Sequence, residues 1–490
     1  MARIPLVLGA YSARSIIANA QRAVNLYPEK NPPDSPVPFT HYPAPGLELL
    51  ATPSPAGAAR CLYYANSGDL YYVAGNTVYW VDTSWGLNVV GTLGTSGGMC
   101  YMADNGTTAV LIDGSASGYE INLSTRTMTT INPVDNAPDP AAGTYAFYGA
   151  TRIDALDGYL LLNRPQTRDF YSTYLNDIVF DSLYFGNKNG YSDKLVTLIV
   201  CMRQIWLIGE RTTEIWYNEG AADFPFARMP GPFIQHGCVA PYSVAQMDGS
   251  VYWLSQDQNG QAILVRGQGY QVKQASNRAL ETEWASYETV ADAEAFAFQQ
   301  NGHSFYQINF PTAGKSWRYD GIIGDPDASW HEVVYIDNNG REGRHRAAVA
   351  AFAYGRNVAG DYQNGKLYEI SSDVYTDNGQ PMVWRRGFPH MVDDGNRIIY
   401  TQFIADIQAG SAEGFPVSDP PVIWLRWSDT RGRTWGTPIR QSWGATGEYY
   451  TMVTWNRLGM ARDRVFELYG TIPGKFGLNG AFVDFQKAAT

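Results

Sequence analysis

Charge is scarce in this sequence. Charged side chains make up 17% of its 490 residues, against about a quarter in ordinary soluble domains. What charge there is leans acidic, with a formal net charge of −11 and a pI near 5.1. Such a balance argues against gripping nucleic acid by neutralising its phosphates, though not against a conduit along which DNA slides. Cysteine is scarcer still: Cys61, Cys100, Cys201 and Cys238 are scattered, with no C-x-x-C pair. Their strand-like apolar settings, such as Ile199-Val200-Cys201-Met202, predict buried free thiols and assembly in a reducing cytoplasm. No run approaches the ~18 apolar residues of a membrane span. The apolar run Leu6 to Ala10 stops at Tyr11, too short for the apolar region and cleavage site of a signal peptide.

Signatures of chemistry are missing too. His41, His236, His303, His331, His345 and His390 are isolated, with neither an H-E-x-x-H motif nor metal-ligand spacing. Gly314-Lys315-Ser316 ends like a phosphate-binding loop, but Asn309 stands where the first glycine belongs. Gly267-Gln268-Gly269 has Val272 in place of a third glycine. No catalytic residue, metal or cofactor is assigned.

Aromatics and glycine are abundant instead: 33 Tyr, 14 Trp and 49 Gly. Tyr and Trp suit pleated, half-buried surfaces and Gly suits tight turns, so the fold class is all-β. Residues 1–60 read as an extended, proline-rich N-terminal arm. Ser15 to Val24 is compatible with one or two helical turns, and the prolines between Asn31 and Pro45 keep that stretch out of a sheet. From residue 61 a unit recurs: an apolar strand, an Asp/Asn-Gly turn, and an aromatic strand. Instances centre on Asn66-Ser67-Gly68-Asp69, Asp104-Asn105-Gly106, Asp157-Gly158, Arg203-Gln204, Asp248-Gly249, Asn301-Gly302 and Asn364-Gly365. About seven such units, roughly 40 to 60 residues apart, predict a β-propeller over residues 61–395. One helix is expected, from Asn277 to Tyr287. The unit pattern then ends, and Ile398-Ile399-Tyr400, Phe403-Ile404-Ala405, Val422 to Leu425 and Val465 to Leu468 read as strands of a C-terminal β-sandwich-like domain over residues 396–490.

Two stretches invite functional readings. Ser428-Asp429-Thr430-Arg431-Gly432-Arg433-Thr434-Trp435 is similar to the Asp box of sialidase propellers, with Thr430 in place of the Asp. In that motif side chains staple a hairpin turn, so one imperfect copy is structural first. A sialidase-like propeller that binds or hydrolyses host surface carbohydrate is the alternative function; it would need paired carboxylates, or a Tyr with an arginine cluster such as Arg385-Arg386. Arg341 to Arg346 is the densest basic stretch, either a solvated loop between blades or a contact with an acidic partner or DNA phosphates.

The order of segments resembles a known family. Tyr11 to Ser15 with Ala18 to Glu29, then Tyr42-Pro43-Ala44-Pro45-Gly46-Leu47, Leu198 to Tyr217, Gln235 to Ala240, and Trp455 to Gly459 followed by Arg462, Arg464, Phe466 and Leu468, are similar to blocks of the packaged-DNA stabilisation or tail hub (nozzle) proteins of short-tailed bacteriophages. The resemblance implies a structural virion protein of the tail. In it, a homo-hexameric ring sits below the portal and head-to-tail adaptor and extends the DNA channel. A tail needle or plug closes the far end and tail fibres or tailspikes attach nearby. On that reading Arg14, Asn19, Arg22, Asn25 and Tyr27, and near the C-terminus Arg457, Arg462, Asp463, Arg464 and Glu467, are candidate inter-subunit or adaptor contacts. Forked arginine donors suit partner carboxylates.

Overall fold

The computed structural model describes residues 2–4, 21–131, 146–231, 233–337, 339–410, 420–472 and 474–488. The turns expected from sequence set its rhythm. Asp157-Gly158, Asp248-Gly249 and Asn301-Gly302 have positive φ at both positions. That is the geometry whose twist matches two antiparallel strands joined by two residues. Between such turns lie five four-stranded antiparallel sheets in chain order, covering 59–92, 101–131, 153–187, 195–228 and 245–274. A sixth blade, 294–332, supplies four strands to a larger sheet, and a seventh, 347–371, supplies three.

The seventh blade takes its fourth strand from the other end of the propeller: Gly46–Ala51 pairs antiparallel with Leu367–Ser371. The first strand of this blade, Ala347–Ala353, in turn packs on Ala59–Tyr64 of the first. The circle is therefore closed by chain segments on both sides of the first blade.

Packing follows the wheel. Each blade is buried on both faces, so its strands are apolar runs rather than strict alternations. Leu160 and Leu162 pack toward the second blade and Leu161 toward the fourth. Seven apolar clusters fill the spaces between successive blades, the last joining the seventh to the first. An eighth fills a C-terminal β-sandwich.

One sandwich sheet is ordered Leu26–Lys30, Phe39–Pro43, Leu478–Lys487, Ile398–Ile407 and Val453–Ala461, with Ala2–Ile4 also on Leu478–Lys487. The other contains Val383–Gly387, Asp463–Thr471, Val422–Ser428 and Ile439–Ser442. Between them pack Trp384, Phe403, Trp443, Trp455, Phe466 and Phe476.

The N-terminal arm differs from expectation. Ala23–Val24 is strand, not helix, and lies between Trp330–Glu332 of the sixth blade and Val383–Gly387 of the sandwich. This two-residue splice makes blade and sandwich one ten-stranded sheet. Residues 15–20 of the expected helical turns lie outside the described residues. The prolines did not keep residues 39–43 out of a sheet either. Leu26–Lys30 and Phe39–Pro43 form a hairpin, in which Pro28 occupies an outermost strand whose missing N–H costs no ladder bond. Val383–Gly387, upstream of the boundary expected at residue 396, is already a sandwich strand. The one α-helix among the described residues spans Arg278–Trp284, capped by the Asn277 side chain, which accepts from the Leu280 N–H at 3.0 Å.

Candidate functional site

The splice between propeller and sandwich gathers a cluster of charged side chains. Arg22, just before it, donates from Nη2 to Glu332 at 2.7 Å and to Glu342 at 3.1 Å. Arg385 on the sandwich strand reaches Glu342 at 2.7 Å, and Lys315 reaches Glu332 at 3.0 Å. Burial would raise the Glu342 carboxyl, but Arg22 and Arg385 hold it below its usual range. Burial likewise opposes the charge on Arg22, yet Glu332 and Glu342 raise its pKa. Further along the same sheet, Glu467 accepts from Arg426 Nε at 2.7 Å and lies 3.4 Å from Arg385 Nε. The result is a chain of alternating charges across the joint.

Asn25 locks the splice. Its backbone is left-handed, φ 52°, a conformation asparagine tolerates better than most residues. Its side chain donates to the Val383 carbonyl at 2.8 Å and the Val334 carbonyl at 3.1 Å, and accepts from the Val334 N–H at 3.0 Å. Tyr27 is buried beside it, with ring centroids 5.0 Å from His303, 5.5 Å from Phe305 and 6.1 Å from Tyr42. Arg22, Asn25 and Tyr27 thus serve contacts within the chain. Arg14 and Asn19 lie outside the described residues.

The C-terminal candidates divide. Arg464 is buried; its guanidinium makes a two-pronged pair with Asp429 at 2.6 and 2.8 Å and donates to the Leu458 carbonyl at 2.5 Å. Asp463 bridges His390 at 2.7 Å and Arg431 at 2.9 Å. Glu467 belongs to the joint, as above. Arg457 and Arg462 stand on the surface, Arg462 donating to the Gly395 carbonyl at 2.6 Å.

Most of the basic stretch is strand and buried side chain rather than solvated loop. Glu342 lies in the joint, Arg344 pairs with Glu294 at 3.0 Å and stacks 3.7 Å over Tyr362, and Arg346 is held by Asp361 at 3.0 Å and Asp377 at 3.1 Å. Arg341 is exposed, but Arg344 and Arg346 are answered by Glu294 of the sixth blade, Asp361 of the seventh and Asp377, which a reading of local sequence does not reveal.

The alternative chemistry finds little support in geometry. In the Asp-box-like turn Ser428 Oγ accepts from the Gly432 N–H at 2.8 Å and Thr430 Oγ1 from the Thr434 N–H at 2.8 Å, a stapled turn. Arg385 and Arg386, neighbours on one strand, serve different surroundings: Arg385 the charged joint, Arg386 the buried side with Trp384. A cleft of about 1070 Å³ beside the helix is lined by Arg278, Trp284, Tyr287 and a single carboxylate, Glu288. Among the described residues no group of three or more His, Cys, Asp or Glu could hold a metal ion, and no helix is long and apolar enough to cross a membrane.

Large apolar side chains are exposed at several places in both domains, Met202, Val89 and Phe352 among them, and they include two groups. In the third blade Leu175, Leu183 and Phe185 are exposed, the last two on the outermost strand Phe180–Asn187. On the sandwich Ile439, Tyr449, Tyr450 and Met452 are exposed, and Tyr450 is 99% accessible.

No curated protein sequence matches the chain. Among solved structures it is similar to the extracellular domain of a putative hybrid two-component system from B. thetaiotaomicron, at 10% identity and TM-score 0.43, covering 67% of this chain and 40% of that one. It is also similar to the RRP9 WD40 repeats, at 9% identity and TM-score 0.42, covering 67% and 99%, and to YCF48 from Cyanidioschyzon merolae, at 10% identity and TM-score 0.42, covering 66% and 98%. Two family models account for nearly the whole sequence: the β-propeller of bacteriophage P22 Gp10 matches residues 2–375 and the β-sandwich of the same protein matches residues 383–486. The chain therefore belongs to the bacteriophage P22 Gp10 family, carrying its propeller and its sandwich in that order.

Proposed function

We propose that this phage structural tail protein is a non-enzymatic hub or nozzle subunit, six copies of which form a ring below the portal and head-to-tail adaptor. The ring extends the DNA channel and helps retain packaged DNA until ejection. A tail needle or plug seals its far end, and fibres or tailspikes attach nearby. Subunits assemble in the host cytoplasm and reside in the virion tail.

The observation that carries this reading is the pair of unlike apolar patches, one on the third blade and one on the sandwich. Closing a ring from identical subunits needs two different surfaces that meet, whereas a two-fold dimer needs one. Exposed Tyr, Met, Phe and Leu are the side chains that subunit contacts bury. The one-sheet weld between domains favours the same reading, since a ring under load needs patches held at a constant relative position. The acidic balance suits a conduit, because DNA is not held by counter-charge.

Electron microscopy of the purified chain and of isolated tails provides the test. Class averages should show six-fold rings directly beneath the portal. A chain that stays monomeric and is missing from purified particles refutes the proposal, and release of sugars from host surface polysaccharide would favour the glycan-processing alternative instead.

A further inference from the structure

The joint has a second, uncharged-looking side that is in fact cationic. His41, on Phe39–Pro43, is opposite Leu478 in the strand register, and both are fully buried, so its imidazole faces the sandwich interior. Arg386, from the facing sheet, is fully buried with Trp384 two residues away on the same face. Its guanidinium donates to the Gln21 side-chain oxygen at 3.1 Å and the Arg22 carbonyl at 3.3 Å. Where this sheet continues into the sixth blade, Arg318 and His331 are cross-strand partners, both fully buried. Each group feels the next: Arg386 acts electrostatically on His41, and both His41 and Arg318 act on His331. The Tyr27 ring, 6.4 Å from that of His331, roofs the seam.

Hydrogen bonding leaves this seam incomplete. Arg318 gives Nε and Nη2 to Gln307 Oε1 at 3.1 and 2.7 Å, while its Nη1 has no acceptor. Both ring nitrogens of His41 and both of His331 also lack partners. Buried polar groups without partners are rare, and each calls for a specific explanation. Nearby carboxylates are committed elsewhere: Asp320 to His303 at 2.5 Å and the Ile322 N–H at 3.0 Å, Glu332 to Arg22 and Lys315. Residues 5–20 contain no Asp or Glu, so that stretch has no acid to supply. Burial lowers the Arg318 pKa only to about 9, which leaves the guanidinium charged at neutral pH. The Phe298 and Phe305 rings lie 5.1 and 5.7 Å from the guanidinium carbon, but ring faces and water answer a buried full charge less well than an anion does.

We propose that this side of the sixth blade, beneath Tyr27, holds a small inorganic anion of chloride size on the Arg318 guanidinium and an N–H of His331. The anion braces the sixth blade where its last strand meets the Ala23–Val24 splice. Because it binds the folded chain and not the unfolded one, its concentration sets part of the stability.

The full chain is unfolded and refolded in sodium chloride and in sodium gluconate of equal ionic strength. The unfolding midpoint should be about 2 °C or more higher in chloride, and Arg318→Met should abolish that difference. Equal midpoints for the unaltered chain overturn the proposal, as does a chloride effect that Arg318→Met leaves intact. Should that variant not fold, crystals of the unaltered chain grown in bromide decide: an anomalous peak within hydrogen-bonding distance of Arg318 Nη1 and His331 is expected, and ordered water without anomalous signal there overturns it.

Discussion

Leu47 lies directly across from Ile370, and through that pair the start of the propeller completes its end. Leu47 is 1% exposed and packs with Phe296, Phe305, Ala347 and Tyr368 between the sixth and seventh blades. Leu47→Ala leaves a cavity at the point where the wheel is fastened, and should cost about 2–5 kcal/mol. Urea unfolding of the full chain measures it. A loss below about 1 kcal/mol would mean that the seam is held elsewhere.

Asn25 fixes the splice by conformation and by hydrogen bonds at once. Asn25→Ala strands the Val334 N–H and two carbonyls, each buried group left unpaired costing about 1–3 kcal/mol, and adds the strain of alanine in a left-handed backbone. Asn25→Gly relieves the strain but not the lost bonds. Thermal unfolding should therefore rank the unaltered chain above the glycine variant, and glycine above alanine. An alanine variant as stable as the glycine one would show that the left-handed geometry carries no penalty.

These two residues also show what is legible in sequence. Asp157-Gly158 and its kin announce hairpins because only certain residues enter left-handed turns cheaply, so unit count and fold class can be read along the chain. The strand opposite Ile370 cannot be read that way, since register between Leu47 and Ile370 is decided by packing of segments remote in sequence. Charged residues mislead for the same reason. Arg464 and Glu467 look like surface groups until Asp429 and Arg426 arrive from elsewhere in the fold. His41 and His331 look isolated because strand pairing, not spacing, brings them to one seam.

Two groups, His303 beside Tyr27 and Asp377 beside Arg346, make stability pH-sensitive in the same direction. His303 is held by Asp320 at 2.5 Å and Glu29 at 3.4 Å; burial opposes its charge, but these acids raise its pKa. Asp377 is raised by burial to about 7. In both cases the folded chain binds the proton more tightly than the unfolded one, so each contribution falls as pH rises. For His303 it is present below about pH 6.5 and lost as pH climbs through the raised value; for Asp377 the decline runs from about pH 4 to 7. Buried His41, His331 and His345 act oppositely, their pKa values being lowered by burial. The informative quantity is thus a difference. The stability gap between the unaltered chain and His303→Gln should shrink from pH 6 to pH 9, and that for Asp377→Asn should shrink from pH 4 to 7. Gaps that widen would reverse the assignment.

The apolar patches allow a test that separates a ring from a dimer. Leu183 is 77% exposed and Tyr450 99% exposed, so Leu183→Lys and Tyr450→Lys should each change stability by no more than about 0.5 kcal/mol. If the third-blade edge of one copy meets the sandwich of the next, either variant alone stays monomeric by native mass measurement. Mixing the two restores a single junction, between the intact blade edge of the Tyr450 variant and the intact sandwich of the Leu183 variant, and growth stops at a dimer. Were each patch instead to pair with its own copy across a two-fold axis, each variant alone would still dimerise through its remaining patch. A mixture that yields dimers only when both variants are present is the signature of the heterologous contact from which a ring can close.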